Sequence, residues 1–167
     1  MQGKRRVQAM NLILENYNYQ HCYAEYTPRI IDFRQAKIKG EVIIAKPVLL
    51  LSLIDGIHWG IFQDNKFVLN EWLEDKYLEF MEKYTSNSQF DKPSDIANPF
   101  WHLASDGFWH LHCKEEKIMK TTPSKKWLKA NVSYASFDED LWVLLQNASW
   151  RMKLRDFIVE YKLSGNG

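Results

Sequence analysis

The sequence predicts a mainly helical α+β fold, in which a helical core carries a small antiparallel β-hairpin element. Three observations support this fold class: an apolar run between a proline and a glycine, an amphipathic pattern typical of a helix, and a repeated aromatic tetrapeptide around an Asp-Gly turn. The chain has 167 residues, of which 46% are hydrophobic, and this is enough for one domain with a sizeable core.

The apolar run predicts the central helix of the core. Pro47 suits the first turn of a helix, and Gly56 suits its end. Between them, residues 48–54 are apolar except for Ser52, so this helix presents apolar side chains on nearly every side. A helix of that kind is normally buried.

Two more helices are predicted from their apolar residues. Asn70 caps a helix over 71–84, whose acidic residues suit a solvated face and whose apolar residues recur at helical spacing: Trp72, Leu73, Tyr77, Phe80 and Met81. Residues 85–97 then have the composition of a loop. A first helix is predicted within 1–26 on a cluster of apolar residues: Val7, Met10, Leu12, Ile13 and Leu14.

The C-terminal part of the chain predicts two further helices. Ser136 caps a helix that begins at Phe137, with Glu139 at the capping-box position. Ser149 caps the last helix, which the polar tail then ends.

The tetrapeptide Phe-Trp-His-Leu occurs at 100–103 and again at 108–111. Asp106-Gly107, between the two copies, is a strong turn signal. Pro99 has no N–H to donate to a ladder, so it suits the start of a strand. The repeat therefore predicts two short aromatic strands joined by a tight turn.

The charge pattern bears on nucleic-acid binding. The net charge of +1 gives no global basic signature, although one local basic face is compatible with it. Residues 114–129 carry six lysines against two glutamates, a net charge of +4. This lysine-rich segment is interpreted either as a strip that contacts phosphates or as an ordinary solvated loop.

Cysteine content and hydropathy indicate the cellular setting. Cys22 and Cys113 do not make a disulfide framework, so a cytoplasmic protein with reduced thiols is expected. The longest apolar run, 48–54, is too short to cross a bilayer, and no membrane partner is expected.

Histidines near the repeat raise the question of a metal site. On a strand, His110 and His112 share one face, with Cys113 on the other and His102 nearby. Zinc needs further ligands, and the sequence has no Cys-x-x-Cys or His-x-x-x-His motif. We therefore expect no metal, no cofactor and no catalytic residue, and interpret Cys113 as a small buried thiol. A metalloenzyme built on His102, His110, His112 and Cys113 is the alternative interpretation of this segment.

Three segments, taken in order, resemble one bacterial DNA-recognition module. They are Lys46-Pro47 with the leucine run after it, Asn98-Pro99-Phe100 continuing to Asp106-Gly107-Phe108-Trp109, and Phe137-Asp138-Glu139-Asp140-Leu141-Trp142 with a closing helix that ends Glu160-Tyr161. This set resembles the sulfur-binding domain of McrA-type HNH restriction endonucleases, which recognise phosphorothioate-modified DNA in bacterial defence. The resemblance runs from about residue 46 to residue 163.

The resemblance implies a shallow apolar cavity for the sulfur, formed by the motif proline and its neighbours, and basic residues that hold the flanking phosphates. The implied cavity residues are Asn98, Pro99 and His102, and the implied phosphate-binding residues are Lys46, Lys125 and Lys126. The implied partner is double-stranded DNA that carries a phosphorothioate.

Two positions depart from the pattern of the family. An aromatic residue often precedes the motif proline, whereas this chain has Asn98, which could instead read a base edge or stabilise the turn. The position three after the proline is small in some members and is His102 here. A histidine could crowd the cavity, or contact phosphate when it is protonated.

The resemblance divides the chain into a helical and basic N-terminal extension over 1–45, the recognition domain over 46–163 and a tail over 164–167. No HNH nuclease motif is recognised, so we expect the chain not to be an enzyme. Either it is a stand-alone reader, or a catalytic partner is encoded separately or lost. The alternative interpretation is a protein-interaction or scaffold module that has kept the fold but not DNA recognition.

Overall fold

A computed structural model of the protein describes residues 17–85, 94–115 and 121–164. In chain order the elements are α1 (Tyr19–Ile31), β1 (Lys37–Ile38), β2 (Glu41–Val42), α2 (Ala45–His58), α3 (Glu71–Tyr84), α4 (Ala97–His102), β3 (Trp109–Cys113), α5 (Lys125–Asn131), β4 (Val132–Phe137), α6 (Glu139–Gln146) and α7 (Ala148–Ile158). A 3-10 turn, Leu103–Asp106, follows α4, and a π-helical turn, Val159–Leu163, follows α7. The predicted fold class, mainly helical α+β with small antiparallel strands, is confirmed.

Helix α2 is the centre of the core, as its apolar composition predicts. Every residue from Ala45 to Ile57 is buried. The hydroxyl of Ser52 donates to the carbonyl of Val48 at 2.8 Å, so this buried polar group is paired. Helices α3, α4, α6 and α7 pack around α2. Within the described ranges, no helix is long and apolar enough to cross a membrane.

Helix α1 closes one side of the same core. The side chain of Asn18 caps it by accepting a backbone N–H at 2.9 Å. The helix packs against α6 and α7 and buries Tyr26 and Ile30 in the core cluster. The apolar residues that predict a first helix lie within 1–16, outside the described residues, as do residues 86–93 of the predicted loop.

The two copies of the repeated tetrapeptide have different conformations, so the predicted aromatic hairpin is wrong. The first copy, 100–103, lies in α4 and the turn after it, whereas the second, 108–111, enters β3. Gly107, at φ 91°, does reverse the chain between them, but it joins a helical turn to a strand. The two copies do not pair as β-strands. They pack on each other, and the indole N–H of Trp109 donates to the carbonyl of Phe100 at 2.9 Å.

The strand that pairs with β3 comes from outside the repeat. Strands β3 and β4 are antiparallel, with Trp109 opposite Phe137. Strands β1 and β2 form the other antiparallel pair, and both residues of the turn between them, Lys39 and Gly40, have positive φ.

Two predicted helix starts are shifted along the chain. Pairing with β3 extends β4 through Phe137, so Ser136 lies within a strand and α6 begins at Glu139. The last helix is capped by the side chain of Asn147, which accepts a backbone N–H at 3.1 Å, rather than by Ser149. An amide-bearing cap two residues upstream therefore lengthens α7.

Candidate functional site

Helix α4 carries three of the predicted site residues. Asp95 lies just before it, and its carboxylate accepts the N–H of Ala97, the first residue of the helix, at 2.8 Å. Pro99 is buried in the first turn of the helix, where a missing N–H costs nothing. Asn98 and His102 are exposed, and His102 lies one turn after Pro99 on the same face. On this helix, the buried ring of Pro99 therefore lies between the exposed polar side chains of Asn98 and His102.

The lysine-rich segment packs against this helix. Trp127 of α5 meets Trp101 of α4 edge to face, with ring centroids 5.8 Å apart. The His102 Nε2 lies 2.6 Å from the Oγ1 of Thr122, in the stretch that leads into α5. These two contacts bring the first turn of α5 beside the exposed end of α4.

The lysines of α5 differ in their partners. The Nζ of Lys125 lies 3.0 Å from Oε1 of Glu74 in α3, and the Nζ of Lys129 lies 3.0 Å from Oε2 of the same carboxylate. Lys126, between them, is exposed and makes no ion pair with any residue of the described ranges. Of the two predicted phosphate-binding residues on α5, Lys125 shares a carboxylate with Lys129, whereas Lys126 has no ion-pair partner among the described residues.

Lys46 lies beneath the surface of this region. Its exposed fraction is 8%, and its Nζ is 2.7 Å from Asp106 Oδ2 and 3.4 Å from Ser105 Oγ. The hydroxyl of Ser105 also donates to the carbonyl of His102 at 2.8 Å. The ion pair therefore ties the first turn of α2 to the 3-10 turn after α4, and the charge of Lys46 is paired inside the protein.

The residues of the metal-site interpretation have separate partners. The Nε2 of His110 lies 2.5 Å from Asp138 Oδ1, and the Nε2 of His112 lies 2.8 Å from Ser136 Oγ. Cys113, at the end of β3, is exposed, so its interpretation as a buried thiol is wrong. In the part of the chain that the structure describes, no three His, Cys, Asp or Glu side chains group closely enough to hold a metal ion.

For three residues that contact the predicted site residues, the sequence does not indicate the contact. Asp106 looks like a turn residue, Thr122 like part of a polar loop and Glu74 like one carboxylate of a solvated face. A signal for Glu74 was present, because it follows Leu73 and precedes Tyr77 by three residues, at the border of the apolar stripe of α3. The partners of the other two residues depend on contacts between distant segments.

Comparison with known proteins identifies the family. The model of the "ScoMcrA-like, DNA sulfur-binding domain" family matches residues 26–164. No curated protein matches the chain.

Solved structures of sulfur-binding domains share the fold. The "Sulfur binding domain of ScoMcrA complexed with phosphorothioated DNA" is 22% identical at a TM-score of 0.65, with 85% of this chain and 89% of that chain covered. The "Sulfur binding domain of SprMcrA complexed with phosphorothioated DNA" is 12% identical at a TM-score of 0.63, with 86% of each chain covered. At these identities the structures establish a common fold, whereas the family model covers most of the sequence. The chain belongs to the ScoMcrA-like DNA sulfur-binding domain family.

Proposed function

We propose that this protein binds double-stranded DNA carrying a phosphorothioate and acts as a reader of that modification. Membership of the family and the phosphorothioated DNA named in both similar structures support the proposal. The observation that carries it is the contact of α4 with the lysine-rich segment, through His102 with Thr122 and Trp101 with Trp127. This contact brings the apolar residue Pro99 close to the lysines of α5. A phosphorothioate requires both, because its sulfur favours apolar contacts and its negative charge favours ammonium groups.

The chemistry of the modification explains the apolar part of the site. A phosphorothioate keeps its negative charge, but its sulfur is large, polarisable and poorly hydrated. The ring of Pro99 and the side-chain carbons beside it contact such an atom through dispersion. A phosphate oxygen in the same place would lose water without gaining a donor, which costs about 1–3 kcal/mol. The cavity therefore discriminates by about one to two orders of magnitude in affinity.

Asn98 and His102 form the polar walls of the proposed cavity. The side-chain amide of Asn98 is exposed and makes no hydrogen bond within the described ranges, so it is available to a base edge or a phosphate oxygen. The contact with Thr122 holds the ring of His102 at the side of α4 that faces the lysine-rich segment. These two side chains weaken selectivity for sulfur compared with a wholly apolar cavity.

Lysines supply affinity that does not depend on sulfur. Lys126 is the main phosphate contact in this proposal, because it is exposed and has no ion-pair partner among the described residues. Lys125 is a weaker phosphate contact, since it already pairs with Glu74. Lys46 acts as a positioning residue, because a direct contact with phosphate would compete with its buried pair to Asp106. Through that pair it holds the turn that follows α4.

A binding titration with two matched short duplexes, one of which carries a single phosphorothioate, tests the proposal at two salt concentrations. We expect tighter binding of the sulfur duplex at both concentrations, and a preference that Pro99→Ala reduces. Equal and salt-sensitive binding of both duplexes would make the protein a general DNA-binding module without a working cavity.

The second candidate function is a protein-interaction module. Two exposed apolar residues just after α2, Trp59 at 69% and Ile61 at 40% exposed, are the observation that favours it, since Trp is enriched at protein interfaces. Absence of binding to either duplex, together with recovery of a protein partner in a pull-down that Trp59→Ala abolishes, would replace the DNA proposal. The choice between a stand-alone reader and a separately encoded or lost nuclease partner stays open, and the cytoplasmic location stays a prediction.

A further inference from the structure

Glu74 contacts two lysines of α5, and one of them, Lys125, is a phosphate contact in the proposed DNA interface. Its carboxylate lies between α3 and α5, with 15% of the side chain exposed, and each oxygen is 3.0 Å from one ammonium, Lys125 or Lys129. The two lysines are four residues apart, so they extend from the same face of α5. One anion bridging two lysines is the arrangement that a backbone phosphate would adopt on the same helix face.

The position of Glu74 is set by the core. Its neighbours on the apolar stripe of α3, Leu73 and Tyr77, have exposed fractions of 0%, and the side chain of Asn70 caps the helix by accepting the N–H of Leu73 at 2.9 Å. The backbone that carries Glu74 is therefore held by packing that does not depend on the lysines.

The charge state of the cluster follows from its contacts. Burial by itself would raise the pKa of Glu74, but the ammonium groups of Lys129 and Lys125 outweigh burial and hold this pKa below its usual range. Glu74 is therefore ionised at neutral pH, and it cancels one of the two positive charges beside it. The neighbouring Lys126 makes no ion pair with any described residue.

We propose that Glu74 sets the affinity of the DNA interface by occupying Lys125 and Lys129 in place of a backbone phosphate. The inference rests on the proposed function, since it concerns the same lysine helix. DNA must compete with Glu74 for these two ammonium groups, so the sequence-independent part of binding is held down. The sulfur cavity then contributes a larger share of the total affinity.

The test is the salt dependence of binding for Glu74→Gln, with Glu79→Gln as the matched control. Glu79 lies on the same helix and also pairs with one lysine, because Lys76 Nζ is 3.0 Å from its Oε2. Both changes remove one negative charge from α3. We expect Glu74→Gln to bind both duplexes more tightly and to steepen the plot of log K against log salt by up to about 1.8, at about 0.9 for each lysine released. That slope corresponds to about tenfold more affinity lost between 50 and 200 mM salt.

A second comparison does not depend on how Glu74→Gln folds. Lys125→Ala and Lys126→Ala remove adjacent exposed lysines from the native protein. We expect Lys125→Ala to reduce the salt slope by less than Lys126→Ala does, because Glu74 already occupies Lys125. Equal reductions would overturn the inference, as would a Glu74→Gln protein that binds no more tightly than Glu79→Gln. A wild-type protein that binds neither duplex would instead overturn the proposed function.

Discussion

The ammonium of Lys46 lies 2.7 Å from the carboxylate of Asp106, and both side chains are nearly buried, at 10% and 6% exposure. The pair joins the start of the central helix α2 to the turn that separates the two copies of the aromatic tetrapeptide. Asp106 also accepts the backbone N–H of Arg34 at 3.3 Å. Through the ion pair and this hydrogen bond, the carboxylate of Asp106 connects three segments around the proposed interface.

Breaking this pair should destabilise the fold. Lys46→Met leaves the Asp106 carboxylate buried without its cation, which costs about 3–5 kcal/mol. Urea unfolding of the variant measures the loss, and the double variant Lys46→Met with Asp106→Leu should recover most of it. A single variant within 1 kcal/mol of the wild type would show that the pair does not hold the turn.

Replacing Asn98 with the aromatic residue common in the family should raise selectivity for sulfur. In Asn98→Phe, a flat apolar face replaces a polar amide beside Pro99, so dispersion contacts increase and a donor for a phosphate oxygen is lost. We expect the ratio of the two dissociation constants to rise by about tenfold, since this corresponds to about 1.4 kcal/mol. The prediction fails if both duplexes gain or lose affinity equally.

Reversing the charge of Lys126 should weaken binding without changing selectivity. Lys126→Glu removes one phosphate contact, so the slope of log K against log salt should fall by about 1, equally for both duplexes. Lys83→Glu is the control, because Lys83 is an exposed lysine of α3 outside the lysine-rich segment. Equal effects of the two variants would mean that net charge, and not position, is responsible.

The indole N–H of Trp109 should matter for stability. Trp109→Phe leaves the carbonyl of Phe100 without its buried donor and removes part of a side chain that is 1% exposed. A loss of about 1–3 kcal/mol is expected from the unpaired carbonyl. Trp150→Phe is the control, because Trp150 is partly exposed and its indole makes no hydrogen bond within the described ranges. Thermal or urea unfolding should rank the two variants in that order.

Acid should destabilise the protein partly through Glu74. Because the folded state holds the pKa of Glu74 below its usual range, the unfolded chain binds the proton more readily. The contribution to stability is therefore present above about pH 4.5 and is lost as pH falls through the lowered pKa. Glu74→Gln should flatten the fall in melting temperature between pH 6 and pH 3. Parallel curves for the wild type and Glu74→Gln would contradict this assignment.

The elements that the sequence predicted well have local signals. The leucine run of α2 and the amphipathic α3 with its Asn70 cap are confirmed almost to the residue. In α3, apolar spacing and the Asn70 cap by themselves decide the element and its buried face, whereas in α2 a continuous apolar run decides burial on all sides. The order of the three family motifs also lies in the sequence, and the family model confirms the resemblance.

The tetrapeptide shows where local signals end. Phe-Trp-His-Leu is helical in α4, after Asp95 and Pro99, and extended in β3, after Gly107 and opposite β4. Identical residues have identical intrinsic preferences, so the flanking caps and the available partner strand decide the difference. The wrong start predicted for α6 has the same cause, because pairing with β3 extends β4 through Phe137.

Local patterns in the sequence are sufficient to predict the central helix, the mainly helical class, the apolar motif and the lysine-rich segment. Which of the charges are available at the surface depends instead on how distant segments pack. Lys46 is buried against Asp106, Lys125 is shared with Glu74, and Lys126 is left unpaired among the described residues. The physical reason is that an ion pair forms between groups within about 4 Å, and that separation depends on how distant segments pack.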